Sequence, residues 1–176
     1  MPAFEQVPIE RFATPITVTV VGDTHLRTNL RPLPSPLVES LRACDLILHT
    51  GDVVSADVLA VFEQFGPVRA VFGNNDDRLL VASLPELRRF QFGRISAGMI
   101  HGHNLPGKTA QQVASLILGG HVDIVIYGHS HQPVNQWQDG WLLFNPGSPT
   151  DRRRQPRFSF GTLRIDDELE AKLHYF

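Results

Sequence analysis

The chain has 176 residues, of which 42% are hydrophobic and 19% are charged, and its formal net charge is −2. This length suits one domain over residues 1–176, because each half alone would bury too little apolar surface. The near-neutral charge gives no reason to expect nucleic acid as the default partner, and we expect no membrane span. A single cysteine, Cys44, excludes an internal disulfide and fits a buried position in a protein of the reducing cytoplasm.

The first half of the chain alternates predicted strands and helices. Residues 1–14 carry no apolar run and are interpreted as an N-terminal extension. Residues 16–21 alternate β-branched side chains and predict a buried strand, which a loop over 26–34 follows. The next predicted elements are a helix opening at Ser35 and Pro36 with Ser35 as its cap, a strand at 45–49, a helix from Ser55 to about Phe65, a strand at 68–72, and a short helix with a loop over 77–90.

The second half of the chain contains more predicted strands than helices. A strand at 92–100 precedes a helix at 108–118, and another strand follows at 122–127. The dipeptide Asp139-Gly140 predicts a tight hairpin turn, and a second hairpin over 158–176 closes the chain. Strands that alternate with helices pair in parallel, whereas hairpins add antiparallel neighbours, so the sequence predicts a mixed α/β fold.

Each of five predicted strands is followed directly by a polar cluster. In α/β sheets ligands bind beyond the carboxyl ends of the strands, so we expect these five loops to converge on one site. An isolated Asp-x-His or Gly-Asp arises by chance or marks a turn, and only the ordered set of five predicts chemistry. The clusters are Asp23-Thr-His25, Gly51-Asp52, Gly73-Asn74-Asn75-Asp76, His101-Gly-His103 and Gly128-His129-Ser-His131.

Seven side chains in these clusters offer nitrogen or oxygen ligands, and none offers a thiolate. Such an imidazole-rich set suits Mn, Fe, Zn, Co or Ni, and is too rich in nitrogen for Mg or Ca alone. Seven donors exceed the need of one tetrahedral zinc and suit two divalent ions, about 3.5–4 Å apart, that share one carboxylate. The seven are Asp23, His25, Asp52, Asn74, His101, His129 and His131.

This order of motifs resembles the calcineurin-like metallophosphoesterases, and among them the small prokaryotic phosphodiesterase branch, from about residue 16 to 165. Leu33-Pro34 and Asn145-Pro-Gly-Ser148 add to the resemblance. It implies a four-layer α/β/β/α sandwich of two mixed sheets flanked by helices. It also implies hydrolysis of a small-molecule phosphate ester by a hydroxide that bridges two metal ions, with manganese as the favoured metal.

The resemblance assigns roles to individual residues. The first metal would be held by Asp23, His25 and His131, the second by Asn74, His101 and His129, and both by Asp52. The expected catalytic residues are Asp52, Asn74 and His103, and the expected substrate contacts are Asn75, His103 and Arg27. Three further residues would support the ligands through hydrogen bonds: Asp76, Asn145 and Ser148.

Two positions depart from the family pattern. Many members have a histidine, thought to act as general acid, where this chain has Asn75, and the small branch often has cysteine there. Without that acid, we expect a preference for weakly basic leaving groups, since these need less protonation. His103 is interpreted either as a substitute acid or phosphate contact, or as a support for a ligand. Leu26 replaces the usual glycine, and Arg27 beside it either reaches a phosphate or is simply exposed.

Other polar and aromatic residues have simpler interpretations. His49 is expected to pack within its strand or to support a metal ligand, and not to be a ligand itself. Asp76 either orients the site or stabilises a turn. The four arginines within residues 152–157 are expected to form a solvated face, with a nucleic-acid patch as the less favoured alternative. Trp137 and Trp141 flank the hairpin turn and are expected to pack.

A phosphodiesterase is the leading functional hypothesis. Its rival is an interaction scaffold with little or no catalysis, because one retromer subunit of eukaryotes resembles this fold and serves mainly as a platform. Such a change of role should erode the metal ligands, and here all seven positions carry suitable donors. A phosphoprotein phosphatase is disfavoured by the missing acid histidine, and a nuclease by the lack of a broad basic surface. Self-association into a homo-oligomer is left open.

Overall fold

The computed structural model describes residues 4–27 and 32–176, and within them the chain forms eleven strands and four α-helices. The strands are β1 (Ile9–Phe12), β2 (Ile16–Val21), β3 (Leu46–His49), β4 (Val68–Ala70), β5 (Leu87–Phe92), β6 (Ile95–Ile100), β7 (Ile124–Ile126), β8 (Val134–Gln138), β9 (Trp141–Asn145), β10 (Ser159–Ile165) and β11 (Leu169–Tyr175). The helices are α1 (Ser35–Ala43), α2 (Ala56–Glu63), α3 (Arg78–Ser83) and α4 (Ala110–Leu118).

The strands form two mixed sheets. One has the order β1-β5-β6-β7-β9-β8, and the other has the order β11-β10-β2-β3-β4. Strands β2, β3 and β4 run parallel, as do β6, β7 and β9. The pairs β5-β6, β8-β9, β10-β11 and β10-β2 are antiparallel. Because parallel strands end at the same edge of a sheet, the loops that follow them lie together.

The pleat of the strands divides the apolar side chains between two faces. On β2, Val18 and Val20 face the core between the two sheets, whereas Val21 packs against helices α1 and α2. On β9, Phe144 faces the same inter-sheet core, and Leu143 packs with α4 on the outer side. Each sheet therefore carries helices on its outer face, which confirms the expected four-layer sandwich.

Helices α3 and α4 begin at side-chain caps. Thr109 Oγ1 accepts from the backbone N–H of Gln112 at 3.3 Å, and Gln112 Oε1 accepts from the N–H of Thr109 at 2.9 Å. This reciprocal pair is a capping box. Asp77 Oδ1 accepts from the N–H of Leu80 at 2.9 Å and caps α3 in the same way. Both helices thus start where polar side chains satisfy their first N–H groups.

The predicted cap of α1 was wrong. Ser35 is the first helical residue, and Pro34 holds the cap position without a side-chain hydrogen bond. Pro36 in the first turn explains why the helix still starts here, because the N–H that proline lacks would have no partner at this point. At α2, Ser55 does hold the cap position, but its backbone carbonyl, and not its hydroxyl, accepts from Val58.

Two strands were missed by the sequence analysis. Strand β5 occupies part of the region predicted as helix and loop, and a turn at 93–94 separates it from β6, so the predicted single strand at 92–100 is two. The alternation of Leu87, Phe90 and Phe92 is interrupted by two consecutive arginines, which hid the pattern. Strand β1 falls within the predicted extension and pairs in parallel with β5, a partner about 80 residues away.

The docking of β1 depends on a carboxylate shared between the sheets. Glu10 of β1 accepts from Arg88 of its own sheet at 2.5 Å and from Arg69 of the other sheet at 2.5 Å. All three side chains are partly buried, so this ion pair is better shielded from water than an exposed one. A strand of four residues, two of them charged, is therefore stabilised by contacts that no local pattern displays.

The remaining fold expectations have mixed outcomes. Asp139 and Gly140 have φ values of 50° and 89°, which confirms the two-residue hairpin turn. Cys44 is half-buried, not fully buried as expected. Residues 28–31 of the predicted loop lie outside the described residues. In the part of the chain that the structure describes, no helix has the length and apolar character needed to cross a bilayer.

Candidate metal centre

Five loops meet at one rim of the sandwich, and each begins where a strand ends. Three of these strands, β2, β3 and β4, belong to one sheet, and β6 and β7 belong to the other. The rim therefore spans both sheets, and ligands from distant parts of the chain face one another across it. The loops carry, in order, Asp23 and His25; Asp52; Asn74; His101; and His129 and His131.

The ligand atoms form two compact groups. Within each group, one nitrogen or oxygen atom from every residue lies within 4.8 Å of the others. Asn74 adds an amide oxygen to the second group, since its Oδ1 lies 3.2 Å from Nε2 of His101. The first group comprises Asp23, His25 and His131, and the second comprises Asp52, His101 and His129.

The carboxylate of Asp52 lies between the two groups. Its Oδ2 is 3.2 Å from Nε2 of His25, and its Oδ1 is 3.4 Å from Nε2 of His101. Each oxygen thus faces a different group. This is the arrangement that a carboxylate shared by two cations requires.

The tautomers of two histidines indicate that the groups are built for cations. Nδ1 of His101 lies 2.8 Å from the carbonyl of Thr50, and Nδ1 of His131 is hydrogen-bonded to the carbonyl of Asp151. A carbonyl only accepts, so each Nδ1 carries the proton, and in the neutral ring Nε2 presents its lone pair. In His101 that lone pair faces the oxygens of Asp52 and Asn74, and three acceptors repel unless a positive charge lies between them.

The charge balance of the rim supports the same conclusion. Burial disfavours the charged form of His101, but its hydrogen bond to Asp52 and the nearby charge of Asp23 outweigh burial and raise its pKa. The carboxylates around His101 thus favour a positive charge at this position. Burial likewise lowers the pKa of His129 to about 4, with the charge of His101 adding to the effect. His129 therefore presents a neutral imidazole, the form that binds metals.

Asp23 has an oxygen for which the described residues provide no partner. Its Oδ1 accepts from the backbone N–H of His129 at 3.1 Å, but Oδ2 is buried and makes no hydrogen bond within that part of the chain. Burial raises the pKa of Asp23 to about 7, although the charges of His101 and His25 oppose the shift. An unpaired buried carboxylate oxygen is unfavourable unless a cation or proton meets it, so this atom fits a metal ligand.

Five of the seven ligands have left-handed backbone. Their φ values lie between 48° and 65°, a region in which residues other than glycine are uncommon and cost about 1–3 kcal/mol each. Such strain persists only where the surrounding structure holds it, and its concentration at one rim is typical of a functional site. The five are Asp23, His25, Asp52, His129 and His131.

Two glycines have no side chain where a Cβ atom would collide with Asp52 or His101. A Cβ on Gly73 would lie 2.1 Å from Oδ1 of Asp52, far inside contact distance. Gly51 has a φ of 101°, and a Cβ there would lie 2.8 Å from Nδ1 of His101. The glycines of the Gly-Asp and Gly-Asn motifs are thus required by the packing of neighbouring loops.

The expected supporting residues hold the ligand loops in place. Asp76 accepts from the backbone N–H groups of Gly73 and Val54, both at 2.6 Å. Asn145 donates to the carbonyl of Gly128 at 3.0 Å, and Ser148 Oγ donates to the carbonyl of Asp23 at 2.7 Å. These bonds hold the loops that follow β4, β3, β7 and β2, so each supporting residue acts on the backbone of a ligand loop.

Asp76 closes the turn that carries Asn74 through its bond from Gly73, and it joins that turn to the loop after β3 through its bond from Val54. Its pKa is raised by burial, even though the two backbone N–H groups favour its charged form. His49 is fully buried; its Nδ1 accepts from the N–H of Gly51, and its ring packs against Phe62. The structure confirms His49 as a packed residue.

The three expected substrate contacts occupy different places. Asn75 donates its backbone N–H to Oδ1 of Asp52 at 2.9 Å and its amide N–H to Oδ2 at 2.7 Å, so it lies at the centre and faces the shared carboxylate. The ring of His103 lies 5.3 Å from that of His101 and 6.3 Å from that of His129. Arg27 is exposed. The substrate roles of all three remain predictions.

Sequence reasoning missed the backbone groups that set the ligand tautomers. The carbonyls of Thr50 and Asp151 accept from His101 and His131, and the hydroxyl of Thr150 donates to the carbonyl of Thr24 at 2.6 Å. A carbonyl is present in every residue, so no residue type signals this role. The position of Thr50 directly before Gly51-Asp52 was the one local indication available.

Comparison with known proteins agrees with this geometry. Residues 16–168 match the calcineurin-like phosphoesterase superfamily domain. A probable metallophosphoesterase of Methanothermobacter thermautotrophicus is 37% identical over 158 residues, which cover 89% of this chain and 90% of that protein. Both likenesses cover the whole rim, from the loop after β2 to the segment after β9.

Solved structures share the fold at lower identity. Wild-type Vps29 of Entamoeba histolytica complexed with Zn²⁺ aligns with a TM-score of 0.72 at 22% identity, covering 91% of this chain and 99% of that one. A structure described as a novel archaeal phosphodiesterase aligns with a TM-score of 0.68 at 21% identity, covering 92% and 100%. These likenesses establish the two-sheet architecture.

Proposed function

This chain belongs to the calcineurin-like phosphoesterase superfamily, and on that premise we propose that it is a phosphodiesterase that uses two divalent cations. The observation that carries the proposal is the position of Asp52. One of its oxygens faces the first ligand group and the other faces the second, at 3.2 and 3.4 Å from the nearest imidazole nitrogens. A single-metal or purely structural site has no need for a carboxylate placed between two complete groups.

Two divalent cations bound at these groups would activate water and neutralise charge that develops on the phosphate. The protein's own contribution is to position them. Carbonyls fix the tautomers of His101 and His131, and Asn75 holds the carboxylate of Asp52 from the solvent side. Because these side chains are locked before substrate arrives, little reorganisation is needed during the reaction.

We propose manganese as the metal, with zinc, iron, cobalt or nickel as competitors. The ligand set combines two carboxylates, four imidazoles and one amide oxygen, and contains no thiolate to favour soft ions. The Zn²⁺ complex of Vps29 from Entamoeba histolytica supports a divalent ion in a fold of this kind. A protein with a single cysteine, Cys44, also suits the reducing cytoplasm proposed for it.

The chain offers a weak proton donor to the leaving group. Asn75 has no acidic proton, and its amide is hydrogen-bonded to Asp52. Burial lowers the pKa of His103, and the charge of His101 lowers it further, so its ring is neutral at pH 7. His103 thus contacts the phosphate as a neutral donor and does not supply a full acid. We expect faster hydrolysis of aryl than of alkyl phosphodiesters, and nearly equal rates on matched substrates would contradict this preference.

The proposal is tested by restoring metals to metal-stripped protein. We expect turnover of bis(p-nitrophenyl) phosphate with Mn²⁺, less with Mg²⁺ and none with chelator, and lower turnover of the monoester p-nitrophenyl phosphate. Asp52→Asn should reduce the metal-dependent rate on the order of 10³-fold. Asp57→Asn, which removes an exposed acid in the first turn of α2, serves as the matched control and should retain it. Turnover that survives chelator, or that Asp52→Asn leaves unchanged, would exclude this mechanism.

The same experiment separates the enzyme from the rival scaffold. A scaffold of this fold has no need of seven ligands or of the buried, unpaired oxygen of Asp23, and both are present in the described residues. Folded, metal-loaded protein that hydrolyses no phosphate mono- or diester would favour the scaffold role.

A further inference from the structure

A cavity of about 640 Å³ lies beside the first ligand group. It is lined by Ser130, Asp151, Arg153, Arg154 and Gln155. Two of these residues connect it directly to the metal centre. Ser130 stands between the ligands His129 and His131 in the chain, and the backbone carbonyl of Asp151 accepts from Nδ1 of His131.

The four arginines of this segment divide into two pairs. Arg152 donates to the carbonyl of Gln155 at 2.5 Å and lies over the ring of Phe158 at 5.6 Å. Arg157 lies over the ring of Tyr175 at 4.5 Å. These two guanidinium groups are engaged by packing and by cation–π contacts on the protein itself. They do not line the cavity.

Arg153 and Arg154 do line the cavity. Arg153 makes one loose ion pair, 3.7 Å from Asp151, with half of its side chain exposed. Its backbone is left-handed, with a φ of 48°, so the chain is strained at this residue of the cavity lining. With Asp151 as the lining acid, the two arginines leave a net charge of +1 in a cavity next to His131.

We propose that Arg153 and Arg154 form a subsite for a second phosphate of the substrate. This inference rests on the proposed function and narrows it to phosphate esters that carry a further phosphate group. Guanidinium groups bind phosphate through paired, charge-assisted hydrogen bonds, and Ser130 and Gln155 offer neutral donors for the remaining oxygens. All four arginines were expected to form a solvated face. In this proposal Arg152 and Arg157 pack against aromatic rings, whereas Arg153 and Arg154 bind phosphate.

Equilibrium binding tests the subsite without relying on turnover. The probes are thymidine 3′,5′-bisphosphate and thymidine 5′-monophosphate, which differ by one phosphate, titrated calorimetrically into Mn²⁺-loaded protein. The wild type should bind the bisphosphate about tenfold more tightly, since one charge-assisted phosphate contact is of that order. In the double variant Arg153→Ala/Arg154→Ala the ratio of the two affinities should fall to about one.

A matched control removes two other exposed positive charges. Arg157→Ala/Arg164→Ala changes the net charge equally but leaves the cavity lining intact, so the tenfold ratio should persist. A ratio near one in the wild type, or a tenfold ratio that survives Arg153→Ala/Arg154→Ala, would overturn the subsite.

Failure of the proposed function gives a different pattern. An inactive protein that still binds the bisphosphate more tightly through Arg153 and Arg154 would support the subsite and contradict the proposed phosphodiesterase activity. An active protein that binds both nucleotides equally would support the activity and contradict the subsite. For an active protein, the preference should also appear in kcat/KM when thymidine 5′-(p-nitrophenyl phosphate) is compared with the same diester that carries an additional 3′-phosphate.

Discussion

Asp23 and Asp52 follow adjacent parallel strands of one sheet, and both are almost completely buried with left-handed backbone, but their surroundings differ sharply. Asp23 has a buried oxygen without a partner in the described residues, and burial raises its pKa to about 7. Burial also disfavours the charged form of Asp52, but hydrogen bonds from His101, His25 and Asn75 outweigh it and hold its pKa well below the usual range.

The two carboxylates therefore differ in how fully the protein itself satisfies their oxygen atoms. The carboxylate of Asp52 is held in its charged form by hydrogen bonds from the protein, which suits the shared-ligand role proposed for it. The second oxygen of Asp23 gains a partner only when a cation or a proton binds to it.

Asp52→Asn should reduce kcat/KM for bis(p-nitrophenyl) phosphate on the order of 10³-fold, and Asp23→Asn on the order of 10²-fold. The reason is that Asp52 contacts both ligand groups, whereas Asp23 contacts the first. Steady-state kinetics at saturating Mn²⁺, with circular dichroism as the control for folding, measures both. An Asp23→Asn variant that is the more damaged of the two would contradict the shared-ligand role of Asp52.

In metal-free protein the same substitutions should change stability in opposite directions at pH 7.5. The raised pKa of Asp23 means that the native state holds its proton up to about pH 7, so its carboxylate destabilises the fold progressively as pH rises from 4 to above 7. The lowered pKa of Asp52 contributes stability above pH 4 that is lost as pH falls.

Urea denaturation with chelator present tests these signs. At pH 7.5 we expect Asp23→Asn to stabilise the protein, by an upper bound on the order of 4 kcal/mol, and the gain to disappear near pH 4. Asp52→Asn should destabilise it at pH 7.5. Shifts of the same sign for the two variants would remove the contrast between the carboxylates.

Gly73→Ala should reduce activity about 10²-fold, because its Cβ would displace the Oδ1 of Asp52 from a distance of 2.1 Å. Gly120→Ala is the matched control. Its φ of 75° makes it strained, but no atom lies within 4 Å of the new Cβ, so it should cost about 1 kcal/mol of stability and no activity. Equal activity loss in both variants would indicate a general effect of losing glycine.

Asn75→Ala should reduce kcat/KM about tenfold, since it removes the 2.7 Å hydrogen bond to Oδ2 of Asp52 and leaves the metal ligands in place. Asn135→Ala removes an exposed amide that donates to the carbonyl of Ala171, and it should leave the rate unchanged. An Asn75→Ala variant with raised KM and unchanged kcat would instead favour a direct substrate contact.

The sequence predicted those features that depend on residues close together in the chain. β-branched alternation at residues 16–21 identified β2, and Asp139-Gly140 identified the hairpin turn. Five polar clusters, each after a strand, identified the rim because parallel strands must end together. The family resemblance then grouped the expected ligands into two sets. The structure brings Asp23, His25 and His131 together, and it brings His101 and His129 together with Asp52. Asn74 lies beside the second group, with its Oδ1 3.2 Å from Nε2 of His101.

The sequence was uninformative where a partner is distant or is backbone. Strand β1 depends on pairing with β5 and on arginines 59 and 78 positions from Glu10. The tautomer of His101 depends on a carbonyl, which every residue has. The hydrogen bond from the Asn75 amide to Asp52 joins residues 23 positions apart. The different surroundings of the arginines at 152–157 depend on which rings lie beside them.

The spectrum of the manganese-loaded protein tests the shared carboxylate most directly. Electron paramagnetic resonance, combined with a count of bound manganese, should show two ions per chain and the signal of an exchange-coupled pair. One bound ion, or two ions that give only the six-line signal of isolated Mn²⁺, would contradict a centre in which Asp52 joins both groups.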